Sequence, residues 1–296
     1  MNTPLVSVLM AAYNSEKYIG EAIASVLASG YKNFELIICD DRSTDRTPEI
    51  AREFAMKDER VKLYLNEENL GDYPNRNKAA SYATGKYLKY LDHDDTIYPW
   101  GLEAMVTGME KFPEAGFGIV SSGIPQPTSY PILVSPAEAY RHYFFKGSLF
   151  GIGPTGAIIR KTAFEAVNGF SGKPFAGDQE IWLKMARSFS VVRLPWDLIW
   201  YRKHDAQESK RETKDDLSSI RRYLIVKEAL NDPNCPLTEA ERKILLRNYN
   251  NIAIRTVIKN NIIGLRLNEI KRTFNLCGFD FSDLVKALRK NRVPGI

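Results

Sequence analysis

The chain has 296 residues and a mass of 33.6 kDa, with 44% hydrophobic residues, 26% charged residues and a formal net charge of +5. These proportions suit a globular protein with a sizeable core and exclude a disordered or fibrous chain. Cys39, Cys235 and Cys277 are too few and too scattered for a disulfide framework or a zinc knuckle, and so point to a reducing compartment.

The N-terminus lacks the basic region and cleavage site of a secretory signal, and no stretch approaches the roughly 18 apolar residues of a membrane span. A cytoplasmic protein is expected, attached at most to the inner face of a membrane. Residues 5–12 are a continuous apolar run, as in a strand buried on both faces of a parallel sheet. Tyr13-Asn14-Ser15-Glu16 breaks the run. Ser15 is placed to cap a helix in which Ile19, Ile23, Val26 and Leu27 recur at helical spacing, and Gly30 marks its end. Residues 34–39 read as a second buried strand and lead into Asp40 and Asp41. Thr47-Pro48-Glu49 opens a second helix, with proline suited to its first turn. A third strand (61–65), a polar loop (66–74) and a third helix (75–83) follow. Gly85 leads into Lys86-Tyr87-Leu88-Lys89-Tyr90-Leu91-Asp92-His93-Asp94-Asp95, a strand-type run that ends abruptly in three carboxylates. Like charges so close repel, and a cation among them is the simplest remedy.

Such alternation implies right-handed crossovers and an α/β fold, with a mostly parallel sheet and helices on its faces. The strands then end on one rim, where open sheets bind ligands at the reversal of strand order. Tyr13, Asp41 and the aspartates at 92–95 fall on that rim. No G-x-G-x-x-G or G-x-x-x-x-G-K-[ST] motif follows any strand. The phosphates of a bound nucleotide would therefore be held by a metal on the carboxylates and not by a helix N-terminus.

The pattern changes after Met105. Residues 117–121 are another strand, 123–136 a long irregular connection and 137–145 an aromatic-rich helix. Residues 151–156 are a glycine-rich bend before a strand at 157–160. Ile181, Trp182, Met185 and Ala186 have helical spacing, which puts Asp178 at a helix N-terminus where the dipole favours its anion. Residues 191–194 and 198–201 are expected to pair as strands, ending in Tyr201-Arg202-Lys203-His204. Beyond Lys210 the chain reads as helices, with Leu245, Tyr249, Ile252, Ala253 and Val257 on one face and Leu284 and Leu288 in a short last helix. From Ser209 onward, 18 Lys and Arg stand against 10 Asp and Glu, a balance of +8 that leaves −3 for the preceding part.

Taken in order, six features resemble a family-2 glycosyltransferase of the inverting GT-A type. They are residues 6–14, residues 34–45, Asn69-Leu70-Gly71 with Arg76-Asn77, the D-x-D element Asp92-His93-Asp94, Gly177-Asp178, and Tyr201-Arg202-Lys203-His204. The resemblance spans roughly residues 4–204 and not the helical tail. It implies a GT-A, Rossmann-like sheet followed by a helical C-terminal region. The implied division is a nucleotide-sugar-binding half (1–110), an acceptor-binding half with the catalytic base (111–208) and a basic helical region (209–296). Ala11, Ala12 and Tyr13 would border the nucleotide base. Asp41 would accept a hydrogen bond from it, which suits the N–H of uracil or thymine and hence a UDP- or dTDP-linked sugar. Asp92 would approach the ribose or the metal, and Asp94 would ligate Mg²⁺ or Mn²⁺, with His204 as a further ligand. Arg76 and Arg202 would be donor-side contacts, and Asp178 the general base.

The chain has Gly-Asp where many members have Glu-Asp. It also lacks the Q-x-x-R-W motif of processive synthases, which implies one sugar per event. The expected partners are a nucleotide-sugar donor and a saccharide or lipid-linked saccharide acceptor, in cell-surface polysaccharide or glycan assembly, without nucleic acid. The basic tail would make a peripheral contact with an anionic membrane, or simply form a solvated helical face. Two alternatives stay open. A nucleotidyltransferase on a related fold would want a basic loop after the first strand, where only Lys17 lies nearby. A non-catalytic nucleotide-sugar-binding or scaffold subunit could dispense with Asp178. Tyr140, Tyr143, Phe144, Phe145 and Trp182 read either as a sugar-stacking surface or as core.

Overall fold

The computed structural model describes residues 3–121, 129–147, 149–172, 176–204, 218–262 and 267–288. Of the irregular connection expected at 123–136, residues 123–128 lie outside the described residues, as does the start of the tail at 205–217, while Ile132–Val134 is a strand and Pro136 opens a helix. Met1–Ala139 with Ser148–His204 forms one compact unit, and Tyr140–Gly147 with Asp205–Ile296 forms a second.

In the first unit, β1 (Val6–Ala12), β2 (Phe34–Asp40), β3 (Val61–Leu65) and β4 (Tyr87–Tyr90) alternate with α1 (Ile19–Leu27), α2 (Thr47–Ala55) and α3 (Asp72–Ser81). β1 pairs in parallel with both β2 and β4, and β3 lies outside β2. The strand order therefore reverses at β1/β4, which opens a crevice at their carboxyl ends. Both faces of β1 and β2 are covered, which is why their sequences are near-continuous apolar runs, whereas β3 at the edge is only partly buried. Val6, Val8 and Met10 of β1 pack with Ile19, Ile23 and Val26 of α1 in the main core. The polar exceptions are paired. Ser7 Oγ, Lys62 Nζ and Thr84 N–H all donate to the buried Glu35 carboxylate. Burial opposes ionisation of Glu35, but these donors outweigh it and draw the group down to about 2.

The chain continues through β5 (Thr96–Ile97), α4 (Gly101–Glu110), β6 (Ala115–Val120), β7 (Ile132–Val134), α5 (Pro136–Arg141) and β8 (Ala157–Arg160). It then forms α6 (Lys161–Ala166), α7 (Gly177–Ser188), β9 (Ser190–Leu194) and β10 (Ile199–Trp200). β8 runs antiparallel between β4 and β6, giving a mixed eight-stranded sheet of order β3-β2-β1-β4-β8-β6-β9-β7.

Several local expectations are corrected. β9 does not pair with the strand after it; it lies between β6 and β7, while β10 joins β5 in a separate ribbon. Val191, Val192 and Leu194 are buried, and a two-stranded hairpin would have left them half-covered. Ser15 does not cap α1 through its side chain. Its carbonyl accepts the N–H groups of Tyr18 and Ile19, both at 3.0 Å, and its hydroxyl turns back to the carbonyl of Tyr13. α1 ends at Leu27, and Gly30 serves the next connection by donating its N–H to the carbonyl of Pro99. α3 begins at Asp72, not at 75, because Gly71 takes φ +86° and turns the loop into the helix early.

In the second unit, the described residues form four helices beyond position 217: Ser218–Asn231, Glu239–Ile262, Leu267–Cys277 and Phe281–Leu288. Their core includes Tyr223, Ile254, Val257 and Cys277. Ile252 is 59% exposed, contrary to expectation, because the buried stripe runs along Ala253, Ile254 and Val257. Among the described residues no helix is long and apolar enough to cross a membrane. The aromatic segment divides. Trp182 is buried and stacked on Phe117, while Tyr140 and Phe144 are buried and Phe145 is exposed.

Candidate active site

Three loops converge at the β1/β4 crevice. The first follows Ala11 and Ala12 at the end of β1 and begins with the exposed ring of Tyr13. Asn14, at φ +49°, ties this loop to the next: its side-chain oxygen accepts the Thr44 N–H at 2.8 Å, and its own N–H donates to Ser43 Oγ at 2.9 Å. Asp40 anchors that second loop by accepting the N–H and the hydroxyl of Ser43. Asp41 is buried and organises the third loop. Its carboxylate accepts Asn66 Nδ2 at 2.8 Å and the N–H groups of Leu70 and Gly71 at 2.9 Å each. A carboxylate has about four acceptor positions, and donors among the described residues fill three of them.

The acids after β4 are divided between different partners. Arg76 on α3 donates through Nε to Asp72 and through Nη1 to Asp92, each at 2.8 Å. Burial works against the Arg76 charge, but Asp72, Asp92 and Asp178 outweigh it and hold the guanidinium firmly protonated. Burial likewise works against the Asp92 anion, and Arg76 keeps it below the ordinary carboxylate range all the same. Asp94 Oδ2 lies 2.7 Å from His204 Nε2. Asp95 is buried and accepts the Arg202 N–H at 2.9 Å; burial, then the charge of Asp92, push it up to about 7. Arg202 Nε donates to the backbone carbonyl of Asp94 at 2.8 Å, and its guanidinium lies over the rings of Tyr18 and Trp200. Lys89 lies fully buried below, with Nζ on the carbonyls of Tyr90 and Thr155, and burial pushes it down to about 7.

Asp92, Asp94 and Asp95 each offer an oxygen, and these atoms lie within 4.8 Å of one another. Hard carboxylate oxygens at this spacing fit Mg²⁺ or Mn²⁺. His204 stands beside Asp94 as a nitrogen donor.

Asp178 opens α7, in the first turn of which both Asp178 and Glu180 are acidic. Tyr73 Oη donates to its Oδ1 at 3.1 Å. Burial pushes Asp178 up to about 7, with Arg76 opposing and the charges of Asp92 and Asp72 adding to the rise. Tyr73 and Arg76 sit three apart on α3 and so share a face. One reaches Asp178 and the other Asp92, so a single helix ties the two groups of acids together. Sequence reasoning placed Arg76, Asp92, Asp94, Arg202 and His204 around one crevice. It put Asp95 on the rim without giving it a role, and it passed over Tyr73, Asp72 and Thr155, whose hydroxyl accepts the Asp92 N–H at 2.8 Å.

Residues 7–167 match the family model described as glycosyl transferase family 2. The chain belongs to that family. It is a glycosyltransferase, and its sheet with the helices around it is the Rossmann-like GT-A fold, followed by a helical C-terminal region. Over 111 residues it is 41% identical to the UDP-Glc:alpha-D-GlcNAc-diphosphoundecaprenol beta-1,3-glucosyltransferase WfgD of Escherichia coli, covering 38% of this chain and 43% of that one. S. aureus TarS 1-349, solved with UDP-GlcNAc, matches at a TM-score of 0.68 and 21% identity, over 96% of this chain and 81% of that one. The mannosyltransferase PcManGT from Pyrobaculum calidifontis, solved with GDP-Man and Mn²⁺, matches at 0.61 and 18%, over 98% and 88%. At these identities the solved structures establish a shared fold.

Proposed function

We propose that the protein is an inverting, metal-dependent glycosyltransferase. It would move one sugar at a time from a UDP- or dTDP-linked donor to a hydroxyl of a saccharide or lipid-linked acceptor in cell-surface polysaccharide or glycan assembly. The observation that carries this reading is the pairing of Asp178, poised near neutrality, with the acid cluster at Asp92, both held from α3. Residues 1–110 would hold the donor, with the base over Tyr13 and its N–H on Asp41. Residues 111–208 would present the acceptor and supply the base. Asp92, Asp94 and Asp95, with His204, would hold Mg²⁺ or Mn²⁺, which when bound neutralises charge on the departing diphosphate as a Lewis acid.

The remaining chemistry belongs to the chain. Asp178 takes the acceptor's hydroxyl proton, the freed oxygen bonds the anomeric carbon, and the bond to the diphosphate breaks with its electrons on phosphate oxygen. Attack opposite the leaving group inverts the anomeric configuration. A base titrating near pH 7 suits that transfer, contributing about 10² to 10⁴ in rate. The UDP-GlcNAc bound to TarS, and the UDP-Glc and GlcNAc-diphosphoundecaprenol in the name of WfgD, support the donor and acceptor classes. The +8 balance beyond residue 208 supports a peripheral contact with anionic lipid at the inner membrane face.

Incubation with a panel of nucleotide-sugars and Mn²⁺ tests the proposal. Donor-selective release of nucleoside diphosphate is expected, lost on chelation and restored by added metal. Pyrophosphate release would instead identify a nucleotidyltransferase. Donor binding without turnover on any acceptor would identify a binding subunit.

A further inference from the structure

Gly177 has no room for a side chain. A Cβ there would come 2.6–2.7 Å from Cζ, Cε1 and Cε2 of Tyr73. The Tyr73 ring is buried against this bare backbone on one side and the Phe170 ring on another, with centroids 5.2 Å apart. Phe170 is itself pinned to α3, its N–H and carbonyl both bonded to the Asn77 side chain. The phenol is thus fixed by packing, and its hydroxyl points at Asp178 Oδ1. Asp178 Oδ2 receives no hydrogen bond from a described residue; it faces Gly153, where an added Cβ would lie 3.6 Å away.

We infer that Tyr73 is a positioning residue for the base: its hydroxyl holds Oδ1, so that Oδ2 is the oxygen presented to the acceptor's proton. This rests on the reading of Asp178 as the base. A side chain at 177 and the Tyr73 ring cannot occupy the same space, so the bare backbone of Gly177 is what admits the ring. Tyr73 can play the part because it stays a donor: burial and the charge of Asp178 raise its hydroxyl well above the ordinary range. The charged groups facing Asp178 are Arg76, Asp72 and Asp92, and Tyr73 donates the one hydrogen bond to it among the described residues.

Tyr73→Phe keeps the ring and removes the hydroxyl. A donated hydrogen bond favours the carboxylate, so its loss raises the titration of Asp178. The acid limb of the kcat profile is expected to move up by about one pH unit, with kcat at pH 7 falling about fivefold. Donor Kd should be unchanged, as should Tm at pH 4, where Asp178 is neutral in both proteins. Replacing Tyr73 by 3-fluorotyrosine, a stronger donor, should move the limb the other way. A Tyr73→Phe profile that superimposes on the wild type, with Asp178→Asn still inactive, overturns the positioning role and leaves the base standing. Full turnover in Asp178→Asn overturns both. A Tyr73→Phe protein that loses Tm and donor binding assigns the hydroxyl to folding and overturns the positioning role.

Discussion

Asp178→Asn is expected to lower turnover by about 10² to 10⁴ while leaving donor binding intact. The amide matches the carboxylate in shape and can still accept from Tyr73 Oη, so the crevice is kept and only the proton acceptor is lost. The same substitution separates catalysis from folding through its pH dependence. Burial raises Asp178 in the folded chain to about 7, well above its value in an unfolded one. A carboxyl raised in this way favours the folded state while neutral. That contribution is complete at low pH and is lost as pH rises towards 7. The Asn variant carries no such loss. Its Tm should therefore match the wild type near pH 4 and exceed it at pH 8, while its activity is lower throughout. In the wild type, turnover should rise through about pH 7 as Asp178 ionises. Thermal melts and kcat profiles over pH 4–9 check both; a variant that is inactive because it melts early would contradict the assignment.

Arg76→Met is expected to destabilise the protein by about 1–3 kcal/mol, the usual consequence of leaving part-buried charged groups without their partner. Arg76 is the cation between Asp72 and Asp92, and its charge also acts on Asp178. Without it three carboxylates face one another across a partly buried space, and Asp92 can no longer remain ionised cheaply. Arg76 holds Asp92 below its ordinary value, so the stability this adds is present at neutral pH and is lost as pH falls through the carboxylate range. The difference between variant and wild type should therefore shrink in acid. Arg76→Lys should rescue only part of it, since one ammonium cannot reproduce two directed bonds at 2.8 Å. In a double-mutant cycle, Asp92→Asn should cost less in the Arg76→Met background than alone. Urea denaturation at pH 7 and pH 4.5 measures these differences; independent effects at the two sites would sink the account.

What the amino-acid order determines by itself is whatever rests on local pattern. The buried runs of β1 and β2, and the acids that follow β4, are written in residue type and period. Both faces of a parallel strand are covered, and a carboxylate cluster ends a strand in only a few ways. That was enough to bring Tyr13, Asp41, Asp92 and Asp94 to one rim. Lys89 shows where the pattern stops. In sequence it is one charged residue in a strand, and only the fold shows it sealed beneath the acids on the carbonyls of Tyr90 and Thr155. Tyr73 shows it again, since its partner is 105 positions away. No periodicity links the two, because the link is made by a ring filling the space above a glycine. The neighbours of β9 and the bond from Arg202 N–H to Asp95 are of the same kind. Pairings between distant segments depend on which surfaces remain to be covered once the sheet has formed. Tertiary packing alone decides that.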